Sequence, residues 1–290
     1  MVKQYSQLYL DARRKLMEKE QEQIACQLAR HLLCFVSGKT REQFIQDRDQ
    51  YASEEVCRAM EDAVDRVLAD EPLAYILGEW TFYGLNLYVD KNVLIPRDDT
   101  CALAQLAMKK GLFLEQDPRI LDLCTGSGCI GLAVANRVKD SRVTLADISP
   151  EALAVAKRNV ARLNLGGRVS CVRVDALQPA PEYLGKFHMI VSNPPYITTE
   201  EMKTLEPSVK DYEPHLALHG GDDGLIFYRA IVENFTSALR PGGFLCFEFG
   251  EGQGDDVCAI LEKQGYTILE RVRDFNDTER AVLAQYAKEE

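Results

Sequence analysis

Apolar residues change their spacing twice along the chain. Over residues 1–77 they recur at helical intervals: in "QEQIACQLARHLLCFVSG" Ile24, Leu28, Leu32 and Phe35 fall on one face, and Gly38 is placed to end the helix. In "SEEVCRAMEDAVDRVLADEP" a capping Ser53 precedes Val56, Met60, Val64 and Val67, and Pro72 closes the segment. The next stretch, "EWTFYGLNLYVD", alternates aromatic and aliphatic residues around Gly84 and Asn86, the pattern of a β-hairpin turning near those two residues. From residue 96 onward the spacing shortens to strand-like runs, "RILDLC" (119–124), "RVTLADI" (142–148), "RVSCVRVD" (168–175), "FHMIVS" (187–192) and "GGFLCFEFG" (242–250). Helical stretches such as "SPEALAVAKRNVARLN" separate several of them. Strands alternating with helices imply an α/β fold, a Rossmann-like, mostly parallel sheet flanked by helices. The expected organisation is a helical domain over 1–77, a hairpin linker over 78–95 and a sheet domain over 96–290.

Composition narrows the partners more than the fold. With 46% hydrophobic and 27% charged residues the chain has the composition of an ordinary globular protein, and disorder is not the expectation. No apolar run approaches the roughly 20 residues of a membrane span, and the start, "MVKQYSQLYLDARRKL", lacks the apolar segment and cleavage site of a signal peptide. The nine cysteines are scattered and form no C-x-x-C pair, which argues against a disulfide scaffold or a zinc site and for a reducing cytoplasm. Cys26, Cys34 and Cys246 stand among apolar neighbours and read as small core residues. A net charge of -11 disfavours an extended grip on nucleic acid and leaves proteins and small molecules as the expected partners.

In open α/β sheets ligands bind beyond the carboxyl ends of the strands, so those ends carry the chemistry. The first runs into "CTGSGCIG", where Gly126 and Gly128 allow a tight turn and close approach of backbone to ligand. Gly126 to Gly131 satisfies G-x-G-x-x-G, and Asp147 follows at the spacing of a ribose-binding acid, so a nicotinamide-dependent oxidoreductase is a real competitor. Two acids favour S-adenosylmethionine instead. Asp122, inside the strand, could accept a hydrogen bond from a cationic amino group, and Asp175, ending "VRVD", is placed for an adenine amino group.

The fourth strand end is "VSNPPYI". Pro194 and Pro195 forbid the strand of residues 187–192 to continue, and they fix a turn that carries Asn193 and Tyr196. In order, "DLCTGSGCIG", "ADIS", "VD" and "VSNPPY" resemble the class I S-adenosylmethionine methyltransferases that act on exocyclic or amide nitrogens. With "EPLAYILGEWTFYGLNLYV", "LIPRDDT", "YEPHLALHGGDDGLIFYR" and "FEFGEGQGDDV" added, the chain resembles the HemK-type peptide chain release factor glutamine N5-methyltransferases over nearly its whole length.

That resemblance implies methylation of the glutamine amide in the Gly-Gly-Gln motif of release factors 1 and 2, with the N-terminal helices docking the release factor. It implies cofactor contacts at Cys124, Thr125, Gly126, Ser127 and Gly128, at Asp147 for the ribose, and at Asp175 and Ala176 beside the adenine. It implies that Asn193, Pro194, Pro195 and Tyr196 hold the glutamine, with Glu213 and Pro214 nearby, and that Phe82 and Ile95-Pro96-Arg97 wall the site. Two departures stand out: Cys124 replaces a frequent glycine, so an ordinary backbone is expected there, and "IPRDDTC" replaces "IPRPETE". An N6-adenine nucleic-acid methyltransferase could use the same Asn-Pro-Pro-Tyr clamp, and a non-catalytic scaffold could keep the same fold. None of the four histidines is needed as a base, and His215 and His219 read as loop residues.

Overall fold

Gly78 divides the chain. The residues up to Gly78, together with Pro207–Tyr212, group into one unit, and Glu79–Glu206 with Glu213 onward group into the other. The structure is a computed structural model and describes residues 2–287.

The first unit carries α1 (Tyr5–Leu16), α2 (Glu22–Ser37), α3 (Arg41–Asp47), α4 (Glu54–Leu68) and α5 (Leu73–Leu77). Helix α4 starts where the sequence places it, with the Ser53 hydroxyl accepting the Val56 N–H at 3.2 Å. Gly38, at φ 64°, ends α2. The buried face of α2 differs from the expected one. Ala25, Ala29, Leu32 and Leu33 are buried, whereas Ile24 and Phe35 are exposed. Small alanines let α2 approach its neighbours closely, and the apolar stripe is turned by one position relative to the large residues. Cys26 and Cys34 are accordingly only half-buried, while Cys246 is fully buried.

The second unit opens with the hairpin β1 (Glu79–Phe82) and β2 (Leu85–Tyr88). Its two-residue turn is Tyr83-Gly84, both at positive φ, and Asn86 lies in the strand opposite Thr81. The chain continues through α6 (Thr100–Gly111), β3 (Arg119–Leu123), α7 (Cys129–Arg137), β4 (Arg142–Asp147), α8 (Pro150–Arg162), β5 (Val169–Arg173) and β6 (Phe187–Ser192). Short helices α9 (Glu201–Thr204) and α10 (Pro207–Lys210) follow, then α11 (Ile226–Phe235), β7 (Leu239–Glu248), α12 (Gly254–Lys263), β8 (Tyr266–Arg273) and β9 (Glu279–Tyr286).

The seven strands β3 to β9 form one sheet in the order β5-β4-β3-β6-β7-β9-β8, in which β5 to β7 run parallel and β9 pairs antiparallel with both β7 and β8. Strand β6 is buried throughout, and from Met189 onward, past an irregularity after Phe187, its side chains alternate between two cores. Met189 and Val191 join Leu103, Ile130 and Leu145 on one face, while Phe187 and Ile190 join Leu121, Tyr228 and Phe235 on the other. Chain order runs outward from β3 through β4 to β5 and then crosses to β6 on the other side of β3. The reversal opens a crevice above the carboxyl ends of β3 and β6. Those two strands are in register at Leu123 and Ser192, and the Ser192 hydroxyl donates to the Leu123 carbonyl at 2.6 Å. The glycine loop and the Asn-Pro-Pro-Tyr turn therefore leave the sheet side by side at one level.

Candidate active site

The glycine loop is shaped from below by Asp122. This carboxylate is fully buried, and its Oδ2 accepts the Thr125 hydroxyl at 2.6 Å and the Gly131 N–H at 2.8 Å. A Cβ on Gly131 would stand 2.3 Å from Leu145 Cδ2 and 2.8 Å from Asp122 Oδ2, so α7 can sit this close to the sheet only with glycine there. Burial pushes the Asp122 carboxyl up to about 7, against the pull of those two donors. Asp122 thus braces the loop from behind and does not line the cavity above it. Cys124 departs from the expected ordinary backbone: its φ is 60°, in the left-handed region. The turn demands that conformation whatever the residue, and a side chain there costs about 1 kcal/mol.

Above the loop lies a cavity of about 260 Å³. Of the residues expected to bind a cofactor, Cys124, Thr125, Gly126, Ser127, Asp147, Asp175, Ala176 and Asn193 line it, whereas Gly128 and Asp122 lie beneath. Asp147 accepts the Gly126 N–H at 2.9 Å through Oδ2 and the Ser149 N–H at 3.0 Å through Oδ1, which leaves further lone pairs for hydroxyl groups. Burial raises its pKa, and the N–H groups of Ser149, Gly126 and Ile148 offset part of that. Asp175 spends one oxygen on the Leu177 N–H at 2.9 Å. The Ser127 hydroxyl is buried without a partner among the described residues, a donor awaiting an acceptor at the cavity wall. Ile148, Val174, Leu216 and Phe227 supply an apolar slot. Two carboxylates, loop N–H groups, an unpartnered hydroxyl and an apolar slot fit an aminoacyl nucleoside such as S-adenosylmethionine. Asp147→Ala is expected to weaken its binding about tenfold or more, the loss of a charged acceptor together with its grip on Gly126, with titration calorimetry as the check.

The Asn-Pro-Pro-Tyr turn is held from three sides. Asn193 lines the cavity, and its Nδ2 donates to the Thr100 hydroxyl at 3.3 Å. The residue that follows, Ile197, forms an isolated bridge with His219 in the loop before Gly220: the Ile197 N–H meets the Leu218 carbonyl at 2.9 Å and the Gly220 N–H meets the Ile197 carbonyl at 2.8 Å. From the N-terminus of α12, Gln253 donates to the Tyr196 carbonyl at 3.1 Å while its Oε1 accepts the Gly250 N–H at 2.9 Å. Pro195 lines the cavity, whereas Pro194 is buried behind it. The Tyr196 ring packs into the second core, and burial raises its phenol well above the ordinary range.

Glu213 and Pro214 separate in role. Pro214 lines the cavity, but Glu213 is buried and turned to the segment before α6, accepting the Ile95 N–H at 3.2 Å and pairing with the Arg97 guanidinium. Pro96 and Arg97 reach the cavity, and Phe82 is buried in the first core instead. Glu213 is therefore a clamp on the "IPR" segment. Thr100, Phe227 and Gln253 were not read from the sequence. Only the spacing of "GEGQG" beyond a predicted strand end could have drawn notice to the last of them.

The N-terminal stretch 7–78 matches the PrmC N-terminal domain, and 102–221 matches the methyltransferase small domain. The release factor glutamine methyltransferase of Clostridium acetobutylicum is 40% identical over 253 residues, covering 87% of this chain and 88% of the relative. That of Thermodesulfovibrio yellowstonii is 36% identical over 261 residues, 90% and 92% of the two chains. Among solved structures, a methyltransferase from Pyrococcus furiosus shares the fold at a TM-score of 0.50 and 19% identity, over 79% of this chain and 100% of that one. Relatives this similar over nearly the full length displace the oxidoreductase reading that the G-x-G-x-x-G pattern left open. The chain belongs to the release factor glutamine methyltransferase family and is a methyltransferase.

Proposed function

We propose that the protein methylates the side-chain amide nitrogen, N5, of the glutamine in the Gly-Gly-Gln motif of peptide chain release factors 1 and 2, using S-adenosylmethionine, in the cytoplasm. The observation that carries this reading is the Asn193 amide beside the glycine loop. With its Nδ2 committed to Thr100 at 3.3 Å, its carbonyl oxygen is the end available to the cavity.

A carboxamide nitrogen is a poor nucleophile because its lone pair is delocalised into the carbonyl. Bound in the cavity, S-adenosylmethionine supplies an electrophilic methyl group on a sulfonium. The Asn193 oxygen accepts one substrate N–H, and the backbone carbonyl of Pro194, whose ring is buried but whose peptide bond leads to the cavity-lining Pro195, accepts the other, which turns the lone pair toward that methyl. Both bonds strengthen as positive charge develops on the nitrogen, so they stabilise the transition state more than the ground state. The prolines set these acceptors in advance, so little ordering is left for the moment of reaction.

No residue need abstract a proton before the attack, because the methylated nitrogen sheds it afterwards. The histidines have other occupations. His188 Nδ1 accepts the Arg119 N–H at 2.9 Å at the amino ends of β3 and β6, and His219 Nε2 lies 3.0 Å from the Thr199 hydroxyl. The test is incubation with methyl-labelled S-adenosylmethionine and each purified release factor, followed by mass spectrometry. Label on the Gly-Gly-Gln glutamine is expected; label on any other residue, or on a nucleic acid instead, overturns the assignment.

A further inference from the structure

Behind Asn193 lies a carboxylate that this chemistry does not use. Glu248 ends β7 and is 2% exposed, and it faces the Thr100 hydroxyl and the Asn193 amide, both of which favour its ionised form. Its Oε2 is buried with no hydrogen-bond partner among the described residues. A buried carboxylate with an unfilled acceptor weakens a fold, and packing alone would be better served by an apolar side chain. The reason for an acid here lies in the two side chains in front of it.

We infer that Glu248 is a positioning residue that sets the donor and acceptor ends of the Asn193 amide. The inference rests on the proposed role of Asn193 as the substrate clamp. An ionised carboxylate only accepts hydrogen bonds. The Thr100 hydroxyl therefore gives its proton to Glu248 and turns a lone pair to Asn193 Nδ2, 3.3 Å away. The NH₂ end of Asn193 is thereby held inward and its oxygen outward. The flipped amide would set its oxygen against a negative carboxylate, an arrangement that the ionised acid forbids. Once protonated, Glu248 can donate, Thr100 can reverse, and both orientations of Asn193 are tolerated.

The groups around Glu248 come from several elements. Arg280 of β9, held by Asp274 at 3.0 Å and Asp99 at 3.1 Å, favours the charged form, and Asp99 opposes it. Cys101 on α6, Cys129 on α7 and Tyr196 also feel the carboxylate, and the Tyr228 hydroxyl donates to the Glu248 backbone carbonyl at 2.9 Å. Burial is the largest influence and pushes the carboxyl up to about 7. The ionised fraction thus grows as pH rises through about 7.

The experiment compares the wild type with Glu248→Gln at saturating S-adenosylmethionine and release factor across about pH 6 to 9. Wild-type kcat is expected to rise with pH through about 7. Glu248→Gln is expected to lose about tenfold in kcat at the upper end, with a flat profile, as for other groups that orient a functional side chain from behind. Its cofactor affinity and melting temperature should match or exceed those of the wild type. In parallel, the Asn193 side-chain NH₂ signals in an ¹⁵N spectrum, assigned by their loss in Asn193→Ala, should shift with pH in the wild type and not in Glu248→Gln. An unchanged kcat and pH profile in the variant overturns the inference, as does a loss of kcat that follows a loss of thermal stability. Failure of the proposed function would show in the wild type itself, as absence of label on the glutamine, whereas failure of this inference shows only in the variant and in the Asn193 signals.

Discussion

Asn193→Ala is expected to lower methyl transfer by about 10²- to 10³-fold, the scale of losing one pre-placed polar group at a site of developing charge. Cofactor affinity is expected to stay within a few-fold, because Asp147, Asp175 and the glycine loop remain in place. The fold should tolerate the change. Asn193 is only half-buried, and its side-chain bond to Thr100 is a long one at 3.3 Å. Thr100 keeps Glu248 as a partner when Asn193 is gone. A single-turnover measurement separates the chemical step from product release, and calorimetry reports the cofactor. Wild-type turnover in this variant would sink the mechanism, and a matching fall in cofactor affinity would move Asn193 from the acceptor side of the reaction to the donor side.

How far the sequence alone could lead depends on whether a feature is made by neighbours in the chain or across it. The strand ends were legible because each combines a short apolar run with a residue that stops it: Gly126 after β3, Asp147 at the end of β4, Asn193 with its prolines after β6. Strands β8 and β9 were not separated from their surroundings. Strand β8 alternates half-buried and exposed residues along "YTILERVR", an edge-strand pattern that charged residues dilute. The large residues of α2 point to a face that the fold does not bury, because close helix approach buries Ala25 and Ala29 instead. The side chain of Cys124 suggests an ordinary φ, but the loop sets the backbone and the side chain bears the strain.

The site itself divides in the same way. Residues that line the cavity cluster at strand ends, where the sequence marks them, whereas the residues that hold them come from distant segments. Glu213 reaches back to Ile95 and Arg97, Glu248 meets Thr100, and Asn159 on α8 joins the Ser127 carbonyl of the glycine loop to the Tyr88 carbonyl of the hairpin, both at 2.9 Å. None of these pairings has a local sequence signal, since each is a contact made by the sheet topology. The Asp122 placement shows the converse: its position in the strand was read correctly, but a strand residue one step earlier or later faces a different core, and here the carboxylate turned under the loop.

Gly220→Ala carries the second large effect, and through a different cause. A Cβ on Gly220 would lie 2.6 Å from Tyr196 Cα, 2.7 Å from the Pro195 carbonyl oxygen and 2.9 Å from the Tyr196 carbonyl carbon. All three are backbone atoms, so no side chain can swing aside. Gly224 presses on the same turn, with its absent Cβ 2.3 Å from the Tyr196 carbonyl oxygen. The "HGGDDGL" segment thus works as a backbone wedge under the turn that carries Asn193. An added methyl must lift one backbone segment off the other, and displacement of the acceptors by about 1 Å is worth about 10²-fold in rate. Overpacking should also cost about 1 to 3 kcal/mol of stability, visible as a lower melting temperature. Gly166→Ala is the control: a Cβ there meets nothing within 4 Å, and both turnover and melting temperature should hold. Loss of kcat in Gly220→Ala with intact cofactor binding would place the damage in the turn. Wild-type kcat and stability together would mean that the loop yields freely and that the turn is held by Gln253 and its prolines instead.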